Sequence, residues 1–91
     1  MDDLLEHGQR RFRVMAYDDA IHDDAWAVEL AELVDGELGP SIVTVLFPSD
    51  ETPREPRVLV SQGDLPLPVL QTFLAVVDRE SRRIQQPPPL H

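Results

Sequence analysis

Between Tyr17 and Trp26 the chain reads YDDAIHDDAW, which gathers Asp18, Asp19, His22, Asp23 and Asp24 into one short stretch. Carboxylates with an imidazole are donors for a divalent cation. Oxygen-rich sets suit Mg²⁺ or Mn²⁺, and a carboxylate with a histidine suits Zn²⁺. The spacing matches no ligand motif, and the other histidines, His7 and His91, fall in terminal segments. Metal and cofactor are therefore not expected. Two plainer chemistries compete. An aspartate at a helix start accepts a hydrogen bond from an unpaired backbone N–H and contributes roughly 1 kcal/mol, which accounts for Asp23 and Asp24. A carboxylate surface also attracts a cationic partner. The candidate partner-binding residues are Asp18, Asp19, His22, Asp23, Asp24, Trp26, Glu29 and Glu32; Trp26 reads first as a core residue on a helix stripe and second as an aromatic anchor amid the acids.

Other chemistry finds no residues to carry it. There is no cysteine, so thiolate nucleophiles, thiolate metal sites and disulfides are excluded. No G-x-S-x-G elbow or glycine-rich phosphate loop occurs. The reading is therefore of a protein without catalytic activity. The net charge is −9, and it is uneven: residues 1–37 hold eleven acids and three arginines, residues 38–91 six acids and five arginines. Residues 18–37 contain eight acids and no base. Phosphate backbones and anionic lipids need clustered positive charge, so neither nucleic acid nor membrane is an expected partner. A basic protein is. All basic residues apart from histidine are arginine, and asparagine is also missing. That bias fits GC-rich coding in a bacterium or phage. No long apolar run and no basic, apolar leader is present, which predicts a cytoplasmic protein.

These residues need elements to hold them. Ninety-one residues predict one small domain with a thin core. Residues 1–10 form an N-terminal segment, with a short helix ending at Gly8 as its expected structure. In RFRVMAY, 11–17, Phe12, Val14 and Ala16 alternate with Arg11, Arg13, Met15 and Tyr17, the period of a strand. In DDAWAVELAELVDG, 23–36, Ala27, Leu30, Ala31 and Val34 recur at i, i+3, i+4 and i+7, the stripe of a helix that Gly36 stops. SIVTVLF, 41–47, reads as a strand buried on both faces, and RVLVSQ, 57–62, as a third. The intervening PSDETPREP carries three prolines. From Pro68 to Ile84 the residues Leu70, Phe73, Leu74, Val77, Ser81 and Ile84 predict a second helix, with Arg79, Arg82 and Arg83 near its C-terminal end. Residues 85–91 are expected to be a disordered proline-rich tail.

The order predicts an α+β fold: a two-layer βαββα sandwich over residues 11–84, with a three-stranded mixed sheet in order 1-2-3 and two main helices on one face. Its first crossover would be parallel and right-handed. The other face would expose Met15, Tyr17, Val43, Val45, Phe47 and Leu59, an apolar patch that predicts an oligomer interface, most simply a homodimer. The function that best fits is a small acidic protein-binding module that regulates or inhibits a basic partner, as immunity proteins, antitoxins and phage inhibitors do. A homo-oligomeric accessory subunit is the alternative. A metal-dependent enzyme using Asp18, Asp19 and His22 comes third.

Overall fold

The computed structural model describes residues 2–19, 25–48, 55–61 and 63–85. They form one antiparallel sheet of five strands and one helix. The strands are β1 (Asp2–His7), β2 (Arg10–Asp19), β3 (Ala25–Val34), β4 (Glu37–Phe47) and β5 (Arg57–Val60), and α1 is Leu67–Gln85. The sheet order is β1-β2-β3-β4-β5, a meander in which each strand pairs with the next.

The sandwich with three mixed strands and two main helices is overturned by this topology. Residues 25–34 are the central strand, not a helix, and β2 and β3 run antiparallel. The physical reason lies in two periods carried by one segment. Trp26, Val28 and Leu30 alternate with Ala25, Ala27 and Ala31, and nearly all of them are buried. A central strand buries both faces, so its apolar run also satisfies a helical stripe. The turn decides between them. Asp35 and Gly36 both have positive φ, 53° and 79°, and Val34 pairs with Glu37. That is the backbone of a two-residue I′ hairpin, for which Asp-Gly is among the favoured pairs. Gly36 therefore turns a hairpin where a helix end was expected.

The N-terminal segment is also a strand. Gly8 has φ 63° and joins β1 to β2 with His7 opposite Arg10. Glycine in the first central position suits a II′ hairpin. β4 begins earlier than SIVTVLF, and its ladder with β3 shifts register around Ala31. There Gly39 comes so close to β3 that an added Cβ would lie 3.0 Å from the Glu32 carbonyl oxygen. A bulge of this kind twists and bends the strand.

α1 matches the expected C-terminal helix in place and length. Val69, Phe73, Val76 and Glu80 form its buried stripe. Val69, Phe73 and Val76 meet Phe12 and Val14 of β2, Val28 and Leu30 of β3, and Val43, Val45 and Phe47 of β4 in the main core. Ala25, Ala27 and Leu46 form a smaller buried cluster on the opposite face. Among the described residues no helix is long and apolar enough to cross a membrane.

Candidate interaction surface

The sheet has two unlike faces, set by register. On the helix face, cross-strand rows run Val14–Leu30–Val43–Val60 and Ala16–Val28–Val45–Val58. On the other face they run Met15–Glu29–Thr44–Leu59 and Tyr17–Ala27–Leu46–Arg57. The six residues expected to share one interface therefore separate. Val43, Val45 and Phe47 are buried in the helix-side core, while Met15, Tyr17 and Leu59 stand on the far face. No single face presents all six.

The acidic set also divides. Asp18 is exposed and pairs across β2 and β3 with Trp26, so those two residues meet at one end of the helix face. Asp19 lies one position on. Glu29 belongs to the far face. Glu32 sits at the other end of the helix face and is already engaged: Arg10 Nε and Nη2 donate to its two carboxylate oxygens at 2.9 and 2.8 Å. That bidentate bond holds the Glu32 carboxyl below its ordinary value and raises the Arg10 guanidinium, against the opposing effect of burial. His22, Asp23 and Asp24 lie outside the described residues. Among the described residues no three acidic or histidine side chains converge as a metal site would require.

Trp26 has a built environment. The Arg83 guanidinium lies 5.5 Å from its ring centroid, within cation–π range, and Arg83 Nε donates to Glu80 at 2.9 Å. Glu80 is almost fully buried on the helix stripe. The Trp26 Nε1 is buried, without an acceptor among the described residues. Trp26 thus packs against the core beside the C-terminal turns of α1.

The larger feature was not foreseen from the sequence. α1 leaves the last strand uncovered, and an apolar groove of about 640 Å³ opens between them. Val43, Val45 and Phe47 of β4 with Val58 and Val60 of β5 form its floor on the sheet, and Leu70, Leu74 and Val77 of α1 its wall. Val58 is 59% exposed, Val60 71% and Leu74 49%, although all three are large apolar side chains. Polar groups enter only at the margins, through Ser61, Asp78 and Ser81. The size and lining are those of a ligand or peptide groove. One signal for it was legible: RVLV is apolar at every position after its arginine, on both faces of a strand. Comparison with family models, with curated proteins and with solved structures gave no match.

Proposed function

We propose that the protein is an acidic binding module, without catalytic activity, that regulates or inhibits a basic protein partner by seating an apolar segment of it in the groove between β5 and α1. The observation that carries this reading is the exposure of Val58, Val60 and Leu74 around one concave surface. Contiguous apolar exposure of this kind marks a binding surface on a small protein. The net charge of −9 supplies the second half of the argument. It accelerates encounter with a cationic partner and makes that encounter salt-sensitive, while the groove supplies the contact that persists.

The test is an NMR titration with an amphipathic peptide of leucines and arginines. The amide signals of Val43, Val60, Leu70 and Leu74 should move together, with affinity falling as salt rises. Leu74→Glu should remove binding while leaving the fold intact, since Leu74 is half-exposed. Shifts confined to Met15, Glu29 and Leu59 on the far face, or no shifts, would sink the proposal.

A further inference from the structure

The groove is open on one side because β5 is an edge strand, and that edge has a symmetry of its own. The Ser61 N–H donates to the Ile42 carbonyl at 2.9 Å, so Ser61, Leu59 and Arg57 turn their backbone groups toward β4. By the alternation of an antiparallel ladder, Val58 and Val60 turn theirs outward. Among the described residues nothing pairs with that edge. We propose that a second copy of this chain does, through β5 against β5 in antiparallel register centred on Leu59.

Several observations select this occupant and this register. With Leu59 on the two-fold axis, Val58 faces Val60 of the partner copy and the reverse, and each pair exchanges two main-chain hydrogen bonds. A register centred on Val58 would bring Pro56 opposite Val60, and proline has no N–H to give. Side chains agree with the backbone. The four valines cluster on the helix face, and the two leucines meet on the other.

Charge decides which edge is used. Self-pairing at β1 would bring Asp2, Asp3 and Glu6 of two acidic chains together. β5 carries one charge, Arg57, at its end. Pairing there leaves five strand spacings between the two β3 strands, about 24 Å, against a screening length of about 8 Å. The acid-rich portions of the copies therefore do not oppose the contact. An edge contact is smaller than the roughly 800 Å² per partner of a standard interface, which makes this a weak, concentration-dependent dimer. Its consequence is structural: the two grooves join into one cleft, floored by β4 and β5 of both copies and walled by two α1 helices.

The chain has no cysteine, so a single introduced thiol reports the register without interference. Leu59→Cys sets two thiols across the axis in a non-hydrogen-bonded pair, within disulfide reach. Under mild copper-catalysed oxidation it should cross-link about tenfold faster than Val60→Cys, whose symmetry mate lies diagonally beyond that reach. Leu4→Cys on β1 gives the background rate. The advantage should persist in high salt and vanish when Val58→Asp is added, with the circular dichroism spectrum unchanged throughout. Cross-linking of Leu59→Cys at the Leu4→Cys rate would overturn the pairing. Because the peptide titration is read on dilute monomer, it stands or falls separately.

Discussion

The two edges of this sheet are built from the same kind of ladder and end differently. At β1, Asp3 lies 3.5 Å from Arg79 of α1, and Glu6 lies 3.6 Å from Arg11 of β2. In a two-residue hairpin the flanking pair, here His7 and Arg10, is hydrogen-bonded, so Asp2, Leu4 and Glu6 are the residues that face outward. Two of those three are acids. At β5 the outward pair is Val58 and Val60, and among the described residues no helix covers them, both being exposed. Natural sheets guard their edges with charge, proline or a covering element. β1 has charge and a helix; among the described residues β5 has Glu55 and Pro56 before it and Arg57 at its start. The difference follows from what α1 covers. α1 aims Val69, Phe73 and Val76 at the sheet, and what it leaves over is Leu74 and the bare strand.

Neighbouring helix residues give the strongest contrast. Phe73 is fully buried, whereas Leu74 is half-exposed in the groove. Phe73→Ala should cost about 3–5 kcal/mol, a large share of a small domain's stability, and lower the urea midpoint accordingly. Leu74→Ala should stay within about 0.5 kcal/mol while weakening peptide binding. Equal destabilisation by both would mean that the groove wall is core, and the distinction between the edges would fail.

The guarded edge has its own weak point. Gly8 holds φ at 63°, a conformation that costs other L-residues roughly 1–2 kcal/mol. Gly8→Ala should therefore raise hydrogen exchange in β1 while β3 and β4 remain protected. Uniform loss of protection would show that β1 and the central strands open as one unit. A gentler change exchanges the characters of the edges. Glu6→Val removes an exposed carboxylate whose ion pair is worth little, so the melting temperature should barely move. It also strips β1 of one guard, and the sedimentation profile should gain species beyond the dimer, because each chain then offers two adhesive edges. An unchanged profile would show that Asp2, Asp3 and the helix suffice.

The sequence carried the helix and the edge better than the centre. At 67–85 the stripe, the flanking prolines and the late arginines all point to one structure, and local and tertiary demands agree. At 25–34 they do not separate. Alanines at 25, 27 and 31 suit a helix by propensity, yet here Ala27 sits between Tyr17 and Leu46, and Ala31 between Arg13 and Ser41, of the neighbouring strands. Only a partner strand makes Ala27 a sheet residue, and that partner is distant in the chain. Asp35-Gly36 was the local signal that distinguished the two, since it serves a tight hairpin between apolar runs. For the acids, spacing in sequence did not become proximity. A strand sends Glu29 and Glu32 to opposite faces, where a helix would have placed them together. The groove is harder still to foresee, because it is defined by what α1 fails to cover.

The smallest expected effect concerns the clamp that joins the two sides. Arg10 holds Glu32 in a bidentate bond, stacks 5.0 Å from the Phe12 ring centroid and approaches Asp64 at 3.7 Å. It thereby ties the start of β2, beside the guarded edge, to the segment that leaves β5 for α1. The Glu32 carboxyl is lowered from its ordinary value of 4.5, first by that hydrogen bond. A carboxyl depressed on folding contributes stability that is complete above its unfolded value and disappears as pH falls through the folded one. The melting temperature of Glu32→Gln should thus lie slightly below that of the parent at pH 7, and the gap should close between about pH 4.5 and more acidic values. If the gap were instead constant across that range, the bond would act by packing alone.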